Sequence, residues 1–421
     1  MKSIAFDQYA AFVGVDWADR KHDICVQANG SPRRELSVIE HTPKAIDDWA
    51  LGLLKRFGDR PVALCCELKK GPLINALGKY PQLVIFPLNP AAVAKYRETF
   101  SCSGAKDDPS DAELQCDFLQ RHFERFKPLL PDSAEMRALQ QLVEYRRSCV
   151  ADRVRVTNRI TSALKNYYPQ PLQWFDDKAT RLFCDFLGRW PSLQDLQKAR
   201  SSTLQKFFHV HNVRSAELIE TRIAGIRSAT PLTEDPGAIL ANRIVLETQL
   251  AQLKVLLECI KRLDDDIAAL CRKHADHVIF ASFPGAGPVY SARLLAAFGD
   301  NRQRYSKARQ LQTYGGVAPV LKRSGNSSWV HWRYAAPTFL RQTFVEWAGE
   351  SVRYSFWANA FYQQQKQRGK SHQMIIRSLA YKWLRIMFQC WKNKQCYDET
   401  KYLSALKAKR SPLLKFAVEE G

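Results

Sequence analysis

The sequence has 421 residues and a formal net charge of +21, with 63 Lys and Arg against 42 Asp and Glu. This length predicts two or three domains, and the basic excess indicates a polyanionic partner, because cations that neutralise phosphates release condensed counterions. The sequence contains no apolar run of about 18 residues and has Asp7 within its first stretch, which argues against a membrane span and a secretion signal. Eleven scattered cysteines favour a reducing cytoplasm.

Residues 11–126 predict an α/β domain. The segments AFVGVDWA, HDICVQA and ELSVIEH read as strands, with a turn over residues 29–32 between the second and third. A helix over residues 43–57 precedes the buried strand PVALCCE, and LVIFPLN is the next strand, followed by a helix that Pro90 opens. Three hairpin-linked strands followed by alternating helices and strands are typical of an RNase H-like fold.

Four carboxylates in this region are candidate magnesium ligands. Asp16 ends the first strand and Glu67 ends PVALCCE, so both are expected at one edge of the sheet. Asp108 and Asp111 are spaced i, i+3 at a helix start, where a proline after Asp108 also suits a helix cap. Magnesium prefers carboxylate oxygens, and two ions about 4 Å apart assist phosphoryl transfer. Asp107 is an alternative to Asp108.

The middle of the chain predicts helices. Residues 133–166 form a long basic helix, and residues 167–235 read as helical with irregular joints. Leucines and an isoleucine then recur at heptad spacing, which predicts a helix paired along a narrow seam, either within the chain or between subunits. The seam residues are Leu246, Leu250, Leu253, Leu257 and Ile260. Asp264, at the next seam position, is expected to limit this pairing.

The C-terminal part contains a candidate nucleophile. FPGAGPVYSARLLAAFGD has a Gly-rich turn leading into a helix, as in helix-hairpin-helix DNA binders, where backbone amides hold a phosphate. Ser324 follows in a basic loop, and Lys322, Arg323 or Arg333 are candidates to stabilise developing charge if this serine attacks phosphorus. An ordinary turn is the alternative explanation for the Ser-Gly pair. Two other serines compete for the role, Ser327 and Ser328.

Residues 364–421 contain thirteen Lys and Arg against four Asp and Glu, interleaved with aromatic residues. Basic residues beside aromatic ones suit backbone contacts and base stacking on nucleic acid. The alternative is that these aromatics form the core stripe of an amphipathic helix, which is the favoured interpretation for Trp383 and Ile386. The aromatic residues in question are Tyr381, Trp383 and Trp391.

These motifs together resemble the DEDD transposase family of bacterial insertion sequences, the bridge-RNA-guided serine recombinases. The resemblance is carried by VGVDWA, CCELKKG, AKDDPSDAE, FPGAGPVYSARLLAAFGD, YGGVAPVLKRSG and RGKSHQMIIRSLAYKWLRIMF, in that order over most of the chain. It implies three domains: residues 1–130, RuvC/RNase H-like and metal-binding; residues 131–275, a helical linker with a coiled-coil segment; and residues 276–421, a helical transposase domain. In two places the sequence departs from the family pattern. The loop after Ser324 is less basic and less glycine-rich than is typical of the family, and the linker segment over residues 167–235 is long.

The resemblance also implies the chemistry and the partners. Asp16, Glu67, Asp108 and Asp111 would bind Mg²⁺, and Ser324 would form a covalent phosphoserine bond with DNA. Donor and target DNA would be chosen by pairing with an element-encoded bridge RNA, and the protein would assemble as a homotetramer in the bacterial cytoplasm, at the nucleoid. A hydrolytic RuvC-like junction endonuclease and a non-catalytic nucleic-acid-binding scaffold are the alternative hypotheses.

Overall fold

A computed structural model describes residues 4–100, 108–325 and 327–416, with the side chains of residues 108–110 left outside the description. The chain divides into two compact units, Met1–Pro131 and Asp132–Gly421. Among the described helices none is long and apolar enough to cross a membrane. The fold is mixed α/β and predominantly helical, with its main sheet in the first unit.

The first unit contains a five-stranded sheet in the order β3-β2-β1-β4-β5. The first three strands are antiparallel, and β4 and β5 run parallel to β1, as the segment order predicted. The predicted turn between β2 and β3 is present, with Gly30 at φ +80°. The strands are β1 (Ala11–Trp17), β2 (Lys21–Ala28), β3 (Arg34–Glu40), β4 (Val62–Cys66) and β5 (Leu83–Pro87).

Helices cover both faces of this sheet, and each face encloses its own apolar cluster. The Thr42 hydroxyl caps the first helix by accepting from the Ala45 amide, and a proline occupies the first turn. Asn89 caps the third helix in the same way, just before Pro90, so the predicted helix start is confirmed. The helices are α1 (Pro43–Phe57), α2 (Pro72–Leu77), α3 (Pro90–Glu98) and α4 (Asp108–Arg121).

Two long helices of the second unit pack against each other in antiparallel orientation. The basic helix is α5 (Ala134–Tyr167), capped by the hydroxyl of Ser133, and its partner in the same chain is α11 (Pro236–Lys273). The predicted seam faces α5, with Leu257 only partly buried. The expected limit at Asp264 is wrong, because the seam shifts to Leu263 and Ile267 while Asp264 pairs with Arg146 beside it.

Between these helices the chain forms a small all-helical cluster rich in aromatic residues. Its core is built around Phe183, Phe186 and Phe208, all fully buried, and the Tyr167 hydroxyl donates to the Pro191 carbonyl at 2.6 Å. The described helices here are α6 (Pro171–Trp174), α7 (Arg181–Arg189), α8 (Leu193–Gln197), α9 (Ser201–Val210) and α10 (Ala216–Ser228).

The remainder of the second unit is a helical bundle that carries one β-hairpin. Trp383 and Trp391 are at most 1% exposed, and the Trp383 indole donates to Ser351 Oγ at 2.8 Å, so both rings belong to the core. Base stacking on these two rings is therefore excluded. The elements are α12 (His277–Ala281), α13 (Gly287–Phe298), α14 (Ala308–Tyr314), β6 (Val320–Ser324), β7 (Ser327–His331), α15 (Thr338–Ser351), α16 (Phe356–Gln367), α17 (His372–Asn393) and α18 (Glu399–Ala408).

Candidate functional site

Asp16 lies near the end of β1, and Glu67 directly follows β4, the neighbouring parallel strand. The β1–β4 register pairs Ala11 with Val62 and Gly14 with Cys65, a constant difference of 51 in residue number. Asp16 and Glu67 differ by the same 51, so each follows its strand's last paired residue by two positions. The two strands are parallel, so this register directs both acids to the same end of the sheet.

Helix α4 covers the sheet face to which these acids belong. An ideal Cβ on Gly14 would lie 2.0 Å from the Ala112 carbonyl oxygen, and the Cys116 thiol donates to the Phe12 carbonyl. The helix therefore runs antiparallel to β1, with its N-terminal turn directed toward the end of the strand. Side chains two residues apart share a strand face, so Asp16 follows Phe12 and Gly14 onto the α4 side.

Asp111 lies in the first turns of α4 and is 3% exposed. Its carboxylate accepts from the Arg97 guanidinium of α3, which forms a buried ion pair. Asp108 is the first residue of α4, but its side chain lies outside the described residues, as does the whole of Asp107. The choice between Asp107 and Asp108 stays a prediction.

Buried thiols line the sheet beneath the acids. Burial raises the pKa of the Cys65 thiol well above its ordinary value. A hydrogen bond with Cys25, together with burial, raises the pKa of Cys116. Both thiols are therefore protonated at neutral pH, and the predicted ligands at this edge are carboxylates. An all-oxygen donor set suits magnesium rather than zinc.

Within the described ranges, no three His, Cys, Asp or Glu side chains come close enough together to hold a metal ion directly. The Asp108 side chain lies outside these ranges. Asp16 and Glu67 thus each lie two residues after the last pair of the β1–β4 ladder, and Asp111 lies in the helix that packs against β1.

Ser324 ends the first strand of an exposed hairpin in the second unit. It pairs with Ser327 across a tight turn in which Gly325 has φ +54°, and Ser324 itself is exposed. The left-handed backbone at Gly325 explains why glycine follows the serine in this tight reversal.

The hairpin register separates the basic and hydroxyl groups onto two faces. Ser324 shares its face with Lys322, two residues earlier, and with Ser327 directly opposite. Arg323 and Ser328 form a cross-strand pair on the other face. Lys322 is thereby favoured over Arg323 as the cation near Ser324, and Ser327 over Ser328 as the competing hydroxyl. Two aromatic residues on the Ser324 face were not predicted, Trp329 and His331.

Arginines from two helices hold the base of this hairpin. The Arg377 guanidinium of α17 lies 4.0 Å from the centroid of the Trp332 ring, and Arg341 of α15 lies 5.5 Å from the same centroid. Arg341 also donates to the carbonyls of Arg333 and Tyr334 at 3.3 Å. Arg333, one of the predicted charge-stabilising residues, donates to the Ala318 carbonyl and so ties the two ends of the hairpin together.

Two residues near the acids were missed by the sequence analysis. Arg97 gives no local signal, since its partner is fourteen residues away and meets it only in the fold. Asp23 of β2 stands directly opposite Asp16 in the antiparallel register. Asp23 could have been predicted from the alternation in HDICVQA, because residues two apart in a strand share a face and Asp23 therefore lies on the same face as Cys25.

Comparison with known proteins gives the chain its family. Residues 13–169 match the IS110-type DEDD family model described as "Transposase", and residues 277–363 match the one described as "Transposase IS116/IS110/IS902 family". A putative mini-circle transposase for IS117 from Streptomyces coelicolor is 29% identical over 413 residues, covering 95% of this chain and 98% of the relative. An uncharacterised 44.8 kDa protein of insertion element IS116 from Streptomyces clavuligerus is 27% identical over 295 residues, covering 69% and 72%.

The two family matches cover different parts of the chain. The first covers most of the first unit, including Asp16, Glu67 and Asp111, and continues along α5 of the second unit, and the second covers the part of the bundle that carries the Ser324 hairpin. Membership of this family implies a DNA-cutting and rejoining enzyme that uses a divalent metal, typically Mg²⁺. The chain belongs to the IS110 family of DEDD transposases of bacterial insertion sequences.

Proposed function

We propose that this transposase cuts and rejoins DNA through a covalent bond between Ser324 and a DNA phosphate, assisted by the carboxylates of the first unit. The observation that supports the proposal is the β1–β4 register, which directs Asp16 and Glu67 to the same end of the sheet, the end toward which α4 directs its acidic first turns. Carboxylates brought to the same end of a sheet offer the oxygen donors that a divalent ion prefers.

The donor chemistry fits a divalent ion. Asp16, Glu67 and Asp111 would hold it together with Asp108, since carboxylate oxygens are the donors that Mg²⁺ prefers. When bound, Mg²⁺ neutralises charge on the phosphate oxygens. Arg97, already in contact with Asp111, adds a fixed positive charge beside this site.

In the proposed serine step a DNA phosphoryl group is transferred to the Ser324 oxygen. The Ser324 hydroxyl loses its proton, its oxygen bonds to phosphorus, and the bond from phosphorus to one DNA oxygen breaks as that oxygen gains a proton. Rejoining reverses these events with a hydroxyl of another strand. Lys322, on the same hairpin face, supplies positive charge where the phosphate oxygens become more negative.

Partners follow from charge and family likeness. A net charge of +21 suits simultaneous contact with donor DNA, target DNA and a guide RNA, each a polyanion. We include a bridge RNA that selects both DNA sites by base pairing, and assembly of four subunits in which acids and serine of different copies complete each active site. Recombination at full rate by RNA-free protein would contradict the RNA part of this proposal.

The nucleophile is tested with Ser324→Ala and the matched control Ser327→Ala, which removes the hydroxyl opposite on the same face. With labelled DNA, bridge RNA and Mg²⁺, we expect a denaturation-resistant protein–DNA adduct from the wild type and Ser327→Ala, and none from Ser324→Ala. A hydrolytic junction endonuclease would instead keep cutting after Ser324→Ala and lose cleavage only with Asp16→Asn. Transposition in cells that is unaffected by Asp16→Asn would indicate a non-catalytic scaffold.

A further inference from the structure

The hairpin that carries Ser324 leaves apolar side chains in solvent. Every residue of β6 and β7 except Val320 is exposed. Trp329 is 44% exposed, and both Leu321 and Val330 are more than half exposed. A two-stranded hairpin is at best marginally stable by itself, so the apolar side chains that this one leaves uncovered indicate a surface for a partner.

Trp329 lies on the same face of the hairpin as Ser324. The register pairs Ser324 with Ser327 and Lys322 with Trp329. The Cβ atoms of Lys322 and Trp329 are therefore about 5 Å apart, and Ser324 and Trp329 are diagonal neighbours at about 7 Å. This face thus presents a hydroxyl, an ammonium group and an indole ring next to one another.

Trp329 differs in its surroundings from Trp332, three residues later. Two guanidinium groups, of Arg377 and Arg341, lie over the Trp332 ring and hold it at the base of the hairpin. In the described part of the chain, the ring contact of Trp329 is with exposed His331, at 6.4 Å between centroids and an interplanar angle of 76°. Much of the Trp329 indole therefore stays accessible to a ligand.

The charge around the hairpin favours nucleic acid as that ligand. Residues 301–345 contain eight Lys and Arg and no Asp or Glu. An aromatic ring beside cations suits a base stacked on the ring with its phosphates near the cations. The cores of protein–protein interfaces are depleted in lysine, whereas Lys322 is paired with Trp329 within this surface.

We propose that Trp329 stacks on a DNA base next to the scissile phosphate and thereby holds that phosphate at the Ser324 hydroxyl. This inference rests on the proposed function, which brings the phosphate to Ser324. Charges along one DNA strand are about 3.4 Å apart, so a side-chain separation of about 7 Å puts the stacked base within about two nucleotides of the phosphate. Every base has a π-face, so Trp329 fixes the position of the strand and leaves the choice of sequence to other contacts.

Photocrosslinking tests the stacking directly. The full-length protein is irradiated with bridge RNA and DNA that carries 5-iododeoxyuridine at single positions around the cleavage position, mapped beforehand from the cut ends. Mass spectrometry then identifies the cross-linked peptide. We expect a cross-link at Trp329 only from positions within about two nucleotides of the cut. Ser324→Ala should give the same cross-link, because stacking needs no reaction of the serine.

Rate measurements separate stacking from a structural role. At saturating DNA, Trp329→Ala should form the protein–DNA adduct about tenfold more slowly, and Trp329→Phe, which keeps an aromatic face, should stay within about threefold of the wild type. Val330→Ala is the matched control, because this side chain is 65% exposed on the opposite face of the same strand. It should react like the wild type, and all three variants should melt like the wild type because both positions are exposed.

A wild-type rate in Trp329→Ala, or cross-links that map elsewhere, would overturn this role of Trp329. Cross-linking of Trp329 to iodouridine in the bridge RNA would assign the ring to RNA, and dissociation of RNA-free oligomers by Trp329→Ala would assign it to another copy of the chain; either result would overturn it too. An adduct that persists in Ser324→Ala would refute the nucleophile of the proposed function, and the cross-link would still decide the role of Trp329.

Discussion

Gly14 is the position at which a single methyl group is expected to displace α4 from the sheet. An ideal Cβ there would lie 2.0 Å from the Ala112 carbonyl oxygen and 2.6 Å from the Cys116 amide nitrogen. Both atoms belong to helix backbone, so no side chain can rotate away. Because non-bonded contacts are favourable near 3.5 Å, the helix must withdraw by about 1.5 Å to accept Gly14→Ala.

The loss of stability expected for Gly14→Ala follows from the burial of this contact between helix and sheet. Overpacking of a well-packed core costs about 1–3 kcal/mol and more where backbone must move. Gly14, Ala112 and Cys116 lie where α4 meets β1, so we expect the upper end, about 3 kcal/mol. For a unit of this size that corresponds to a melting temperature lower by about 10 °C. The same shift carries Asp111 away from Asp16, so metal affinity should fall as well.

Scanning calorimetry of the full-length variant measures the stability, and hydrogen exchange followed by mass spectrometry localises the change to α4. Gly52→Ala is the matched control, since a Cβ at Gly52, within α1, meets nothing within 4 Å. It should stabilise the protein by about 0.5–1 kcal/mol through helix propensity. A Gly14→Ala protein that melts with the wild type and exchanges its α4 amides at the same rate would refute this account of the packing.

Two further predictions concern charge. Arg97→Gln leaves the buried carboxylate of Asp111 without its cation, so we expect the free energy of unfolding in EDTA to fall by about 2 kcal/mol, measured by denaturation. Because a positive charge beside the metal site is removed, the Mn²⁺ affinity measured by spin resonance should rise about tenfold. An unchanged or weaker Mn²⁺ affinity contradicts this expectation. Burial, with a smaller effect of neighbouring His41, lowers the pKa of fully buried His22 from 6.5 to about 4. The folded state therefore favours the neutral imidazole, and this contribution to stability is complete above pH 6.5 and is lost as the pH falls toward 4. Urea denaturation should show up to about 3 kcal/mol of this acid sensitivity in the wild type and less in His22→Phe; equal slopes in the two proteins would show that His22 is not responsible.

The sequence alone predicted the strands of the first unit, the two long helices and the broad class of the protein, but it placed Ser324 in a loop where the structure has a strand. Strand alternation, a turn with glycine at positive φ, and prolines in the first turn of helices are local signals, and the sheet of the first unit agrees with them. Heptad spacing likewise predicted the buried stripe of α11, because a helix that packs along a seam needs apolar residues every three to four positions. The family resemblance rested on the order of such motifs, and the family matches confirm it.

The tertiary structure decided which residues meet. The continuation of the seam past Asp264 depended on Arg146, which is 118 residues away in the chain. The ion pair of Arg97 with Asp111 arises where α3 and α4 pack, and neither residue has a local pattern that announces the other.

The same holds for side-chain direction in strands. Asp23 becomes a neighbour of Asp16 only through the pairing register of β1 and β2, and Lys322 is separated from Arg323 only by the pleat of the hairpin. A sequence records which residues are charged or apolar and how they are spaced. Charge interactions depend on distance, and distances between residues remote in the chain exist only once strands have paired and helices have packed.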